Sequence, residues 1–162
     1  MNREVVLTYL EALIQSTEKK GEIIEKLLEI AKEQETAALA PKFDLDEFTS
    51  LINQKDPWIQ QLTTIDNGFG QTFERIKEIV IQEKDSYRTE LLQLQDLISS
   101  ITTKAVELQA LEKRNKSLVD RRIAEGKQKI KTATVSNKIA SSYYQNMSNQ
   151  HYNDSYFLDK RK

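Results

Sequence analysis

The stretch LLQLQDLISSITTKAVELQALEKRNKSLV, residues 91–119, decides the fold. Its apolar side chains return at steps of three and four residues: Leu91, Leu94, Ile98, Ile101, Ala105, Leu108, Leu111 and Leu118, with Asn115 holding one place in the repeat. At 3.6 residues per turn this spacing gathers them on one face of a long helix and leaves the other face to charges and amides. Such a helix hides a stripe, so its neighbours must be equally long helices bearing matching stripes. Asn115 on the stripe either fixes the register of packing at some loss of stability or turns out to water.

Moving upstream, the polar run Gln82 to Arg88 marks a turn, with Asp85 or Ser86 as the expected cap of the helix that follows. Before it, Leu45, Phe48, Ile52, Lys55, Ile59, Leu62, Asp66, Phe69, Phe73, Ile76 and Val80 keep the same alternation across Pro57 and across Gly68 and Gly70. Unbroken phase predicts one helix with a kink near Asp56-Pro57 and a soft spot at Asp66-Asn67-Gly68, the alternative being two helices joined by a tight turn. Residues 36–43, TAALAPKF, form the plainest break, because Pro41 cannot continue a helix and disfavours helical geometry in the residue before it. Asp44 is placed to cap the next helix, Glu47 lies three residues on as in a capping box, and Phe43 is placed to staple onto Phe48.

The first stripe runs Val6, Leu10, Leu13, Thr17, Lys20, Ile24, Leu27 and Ala31, with a polar centre. Tyr9, Ile14, Ile23, Leu28 and Ile30 flank it, and a stripe of that width predicts more than one neighbour. Gly21 sits within this helix at a disadvantage of about 1 kcal/mol relative to Ala, which packing must outweigh.

Composition agrees with long helices. The 162 residues are 38% apolar and include only four Gly and two Pro, too little turn chemistry for an all-β or a many-element α/β fold. There is no Cys, which removes disulfides, thiolate metal sites and Cys nucleophiles together and fits a reducing, cytoplasmic location. The start carries Arg3, Glu4 and Glu11 and has no apolar run ending in small residues, unlike a signal peptide. No stretch nears the roughly 18 apolar residues of a membrane span. Residues 1–84 hold ten Lys/Arg against sixteen Asp/Glu, and residues 85–162 fourteen against nine, an opposition that helps antiparallel arms pair.

Catalytic chemistry finds little to stand on. His151 is the sole histidine and has no carboxylates at ligand spacing. Asp44, Asp46 and Glu47 are the densest acids, at a helix start where negative charge is favoured in any case. The IDNGFGQ stretch at 65–71 lacks the following Lys-Ser/Thr of a phosphate loop. No catalytic, cofactor-binding or metal-binding residue is assigned, and the protein is read as a non-enzyme. The basic residues Lys113, Arg114, Lys116, Arg121, Arg122, Lys127, Lys129 and Lys131 alternate around the helix and have Glu112, Asp120 and Glu125 at pairing distances, which favours a solvated, self-paired surface over a nucleic-acid face.

Beyond Gly126 the chain turns rich in Ser, Asn and Tyr and ends in a basic cluster, a composition with little intrinsic order. Ile130, Ala133, Val135, Asn137, Ile139, Ala140, Tyr143, Tyr144 and Met147 nevertheless recur at helical spacing, as in an amphipathic helix that folds on a partner. The tail aromatics Tyr143, Tyr144, Tyr152, Tyr156 and Phe157 are read equally as anchors for another protein or as a cover that folds back on the bundle.

Three stretches together resemble the FlgN family of flagellar export chaperones: the K-x-x-x-I-x-x-L-x-x-I-D-x-x-F run from Lys55 to Phe69, VELQALEKRNKSLVD from Val106 to Asp120, and the YY-x-x-M of Tyr143 to Met147 followed by SYFLDKRK. The resemblance implies a small cytosolic chaperone that binds the C-terminal helical segments of hook-associated axial proteins, prevents their early assembly and brings them to the type III export gate. It further implies a client face in the C-terminal amphipathic region, here Ile123, Ile130, Val135, Ile139, Tyr143, Tyr144 and Met147. The family's usual short ending is replaced here by YFLDKRK. The expected architecture is all-α: an elongated antiparallel bundle or coiled coil of three long helices in residues 1–129, and a conditional C-terminal helix or tail in residues 130–162. The competing readings are a self-associating structural coiled coil, in which the stripe is a homo-oligomer interface, and a nucleic-acid binder using Lys113 to Lys131.

Overall fold

A computed structural model describes residues 1–126. They form three long helices, α1 (Arg3–Leu39), α2 (Leu45–Gln82) and α3 (Arg88–Gly126), with a short 3-10 turn, Lys84–Tyr87, between the second and third. The expected division at residues 129 and 130, and the fourth helix, lie outside the described residues. At 1.5 Å per residue each helix is about 55–60 Å long, and an up-down-up path makes α1 and α3 parallel and α2 antiparallel to both.

Local chemistry sets the ends. The Asn2 side chain caps α1 by accepting from the Val5 N–H at 2.9 Å. Asp44 caps α2, accepting from the Asp46 and Glu47 N–H groups at 3.0 and 3.2 Å, and the Phe43 ring packs on Phe48 at 6.1 Å between centroids. The α2–α3 junction departs from expectation: neither Asp85 nor Ser86 caps α3, because both lie in the 3-10 turn that feeds directly into it. That turn is held by the Ser86 N–H on the Glu83 carbonyl, 2.9 Å, by the Arg3 guanidinium on the Ser86 carbonyl, 3.3 Å, and by burial of Tyr87. Helix α2 is continuous through Pro57 and Gly68, so the two-helix alternative falls.

Packing follows the stripes in three successive clusters. At the base, Val6, Leu10 and Leu13 meet Phe73, Ile76, Val80, Tyr87, Leu91 and Leu94. In the middle, Ile24, Leu27 and Ala31 meet Ile59, Leu62, Ile101, Ala105 and Leu108. At the far end, Ile30, Ala37 and Ala38 meet Phe48, Leu51, Ile52 and Val119. The repeat drifts on the last turns of α3, where Val119 is buried and Leu118, the expected position, is half-buried. Gly21 faces α3: a Cβ there would stand 3.4 Å from the Ile101 side chain, an ordinary van der Waals contact, so the space does not demand glycine.

Helix α1 is the hub. It lies close along both α2 and α3, whereas α2 and α3 hardly approach each other backbone to backbone. The flanks of the stripes show why. The flank of α1 bearing Ile14, Gly21 and Leu28 serves α3, and the one bearing Tyr9, Ile23 and Ile30 serves α2. Lys104 pairs with Glu25, and Arg114 with Glu35, which turns that edge of α3, with Leu97 and Leu111, toward α1. On α2, Arg75 donates to the Tyr9 hydroxyl at 3.4 Å, turning toward α1 the flank that carries Trp58, Ile65 and Ile79. The opposite flanks, left for the α2–α3 seam, are polar or small: Thr63 and Gly70 on α2, Gln95, Thr102 and Gln109 on α3.

Candidate functional site

The polar residues on the stripes find one another. In the middle of the bundle the Lys20 ammonium bonds Asp66 Oδ1 at 2.8 Å, both side chains nearly covered. The second oxygen, Oδ2, is buried without a hydrogen-bond partner among the described residues. Burial raises the Asp66 pKa above the ordinary carboxylate value, and the charge and hydrogen bond of Lys20 oppose that rise without cancelling it. Nearby, the buried Thr17 hydroxyl donates to the Leu13 carbonyl of its own helix at 2.7 Å, which satisfies it without a cross-helix partner.

Farther along, Lys55 of α2 ties all three helices. Its ammonium donates to Gln34 Oε1 of α1 at 3.3 Å and pairs with Glu112 of α3. One turn on, Asn115 donates from Nδ2 to the Ala31 carbonyl at 2.8 Å, so it points inward and fixes α3 on α1 rather than turning out to water.

Above this layer the far end opens toward the rest of the chain. Phe43, Leu118 and Ile123 pack half-buried on its apolar cluster, and Leu39 is exposed. Arg122 bridges the α1–α2 loop to α3, lying 5.6 Å over the Phe43 ring and donating to the Pro41 carbonyl at 3.3 Å. Of the expected client face only Ile123 is among the described residues, on α3 one turn before Gly126. Ile130, Val135, Ile139, Tyr143, Tyr144 and Met147 lie outside them, as do His151 and the remaining tail aromatics. Ile123 packs half-buried on the far-end cluster that contains Val119.

The basic run divides. Lys116 pairs within α3 with Asp120 at 3.0 Å, as expected, but Arg114 reaches Glu35 on α1, Glu112 turns inward to Lys55, and Arg122 is held by the loop. Cross-helix partners thus take charges that spacing along one helix assigned to self-pairing. Among the described residues no group of three or more His, Asp or Glu side chains is placed to hold a metal, and no helix is long and apolar enough to cross a membrane. A shallow open depression between α1 and α2 is lined by Lys19 of α1 and by Pro57, Gln60, Gln61, Thr64 and Ile65 of α2, with no titratable cluster to work on a substrate.

What the geometry offers is a three-helix body whose far end carries the half-buried apolar side chains Phe43, Leu118 and Ile123. No curated protein and no solved structure matches the chain. A family model described as FlgN protein does match, over residues 1–151, spanning the whole three-helix body and most of the segment beyond it, and the chain belongs to the FlgN family of flagellar export chaperones.

Proposed function

We propose that this protein is a cytoplasmic export chaperone that holds the C-terminal helical segments of flagellar hook-associated proteins, keeps them from assembling early and delivers them to the type III export gate. The observation that carries the reading is the family match over residues 1–151, which takes in the amphipathic region beyond the bundle as well as the bundle itself. Residues 1–129 act as the body and residues 130–162 as the client-binding segment. The grip is an apolar stripe, Ile123, Ile130, Val135, Ile139, Tyr143, Tyr144 and Met147, completing a helical bundle with the client's own helix. Ile123, half-buried on the far-end cluster, supplies a fixed starting point for that stripe.

No step requires nucleotide. Release follows from handover to an acceptor that binds the client more tightly or at higher local concentration.

The test is calorimetric titration of the full chain with purified hook-associated proteins and with the same proteins lacking their C-terminal helical segments. Tight binding to the former alone is expected, abolished by Ile139→Asp with helicity retained. Unchanged affinity in that variant sinks the assignment of the face. Absence of binding to every hook-associated protein, together with a stable oligomer in light scattering, transfers the reading to a self-associating scaffold.

A further inference from the structure

The apolar core is interrupted at one level of the bundle, and in only two of its three helices. On α1 no buried aliphatic side chain lies between Ile14, the last of the base cluster, and Ile23, the first of the middle one. On α2 none lies between Leu62 and Phe73, with Ile65 and Phe69 half-buried. On α3 the same two clusters follow one another without a gap, at Ile98 and Ile101. Thr17, Lys20 and Asp66 stand in the interrupted layer, and the Lys20–Asp66 pair joins α1 to α2 there.

The backbone changes at the same level. Three of the chain's four glycines, Gly21, Gly68 and Gly70, lie within about one turn of that ion pair. Glycine inside a helix is less stable than alanine, and no steric need offsets the loss here. A Cβ on Gly21 would make an ordinary contact with Ile101, and on Gly68 or Gly70 it would meet nothing within 4 Å. What glycine still supplies at these positions is a pliable backbone. Helix α3 has no glycine from Arg88 to Glu125 and carries its buried side chains through the layer without a break.

Past this level the tip of the α1–α2 hairpin, residues 22–65, is held on α3 by contacts that thin outward. Ile101, Ala105, Leu108 and Leu111 of α3 are buried in the middle cluster, whereas Val119 is the one buried side chain that α3 gives to the far-end cluster. Nearest the loop, Arg114 with Glu35 and Arg122 with the Pro41 carbonyl bridge tip and α3 at the surface, where such contacts exchange for water at small cost.

We propose that the interrupted layer is a hinge, about which the tip of the hairpin opens and closes on an uninterrupted α3 while the base stays fixed. From Gly21 to Leu39 the lever is about 27 Å long, so a rotation of about 10° carries the α1–α2 loop about 5 Å. Contacts beside the pivot barely move. Phe43, on the tip side, shifts against Leu118 and Ile123 of α3, so the hinge sets the width of the apolar far end. The device belongs to the three-helix body and holds whatever that end binds.

The chain has no Cys, so spin labels can be placed in chosen pairs. In the full-length protein, Ser50→Cys with Ser117→Cys reads the tip against α3, and Glu78→Cys with Gln93→Cys reads the base, all four positions being exposed. Pulsed dipolar spectroscopy in frozen solution is expected to give a distance distribution at least about twofold wider for the tip pair than for the base pair. Equal widths overturn the proposal. Gly21→Ala, Gly68→Ala and Gly70→Ala are then combined in each labelled protein, replacements that favour helix and fit the available space. The tip distribution is expected to narrow to the width of the base pair. A tip distribution that stays wide shows motion not carried by the glycine layer and refutes the hinge.

Discussion

The two ends of the bundle are built on opposite principles. At the base, Val6, Leu10, Phe73, Ile76, Val80, Tyr87, Leu91 and Leu94 close on one another with no polar group on the stripe, under a turn pinned by Arg3. Toward the far end, Gln34, Lys55, Glu112 and Asn115 replace apolar side chains between the helices, and the neighbouring residues of α1 shrink to Ala31, Ala37 and Ala38. Apolar contact is strong but tolerant of sliding, since one helical turn can be exchanged for another. Buried hydrogen bonds add little net stability yet penalise every arrangement that leaves them unmade. The base thus supplies stability, and the far end supplies register where the rest of the chain departs.

That contrast can be broken most severely at the base. Leu94→Ala, at a fully buried site, is expected to destabilise by about 3–4 kcal/mol in urea unfolding, against about 1 kcal/mol for Ile123→Ala at the half-buried far end. Equal losses would remove the distinction. Next in size, Lys55→Ala strips Gln34 and Glu112 of their partner and is expected to lose about 3 kcal/mol, while Lys55→Met combined with Glu112→Leu regains most of it. The double variant should at the same time broaden far-end amide resonances, as alternative registers become accessible; sharp resonances would show that register is set elsewhere.

Asn115→Ala deletes one buried bond and is expected to cost about 1–2 kcal/mol, with faster amide exchange around Ala31 and little change near Leu10. The smallest effect concerns pH. Burial raises the Asp66 pKa, so the folded protein holds that proton more tightly than the unfolded chain does. Asp66 therefore adds stability in full below the unfolded value of about 3.8, and that increment is lost as pH rises through the folded pKa. Asp66→Asn should flatten this component of the dependence of Tm on pH between those limits; an unaltered profile would assign it to other groups.

Much of the body was legible because periodicity reports burial directly. The stripes of α1, α2 and α3, the wide flanks of α1, the break at Pro41 and the Asp44 cap all follow from spacing and local backbone chemistry. Tyr87 was not legible, since it stands in a polar run and is buried by a turn rather than by a stripe. The polar positions Lys20, Lys55, Asp66 and Asn115 could be placed on the stripes, but their partners could not, because a pairing such as Lys55 with Glu112 depends on the relative rotation of two helices. The same applies to Arg114 and Glu35. Of the seven residues that spacing and family likeness name as a client face, Ile123 alone lies among the described residues.

The parallel pairing of α1 with α3 has a consequence for how the chain is made. The bond from Asn115 to the Ala31 carbonyl joins residues 84 apart, so the bundle's principal seam consists of distant contacts, in contrast to the neighbour-to-neighbour contacts of most helical bundles. Such topology slows folding relative to a simple hairpin stack. During synthesis the α1–α2 hairpin emerges first, with Ile14, Gly21 and Leu28 bare until α3 has left the ribosome. For that interval the nascent protein presents the same kind of unpaired apolar flank that, in the finished one, it is proposed to shield on others.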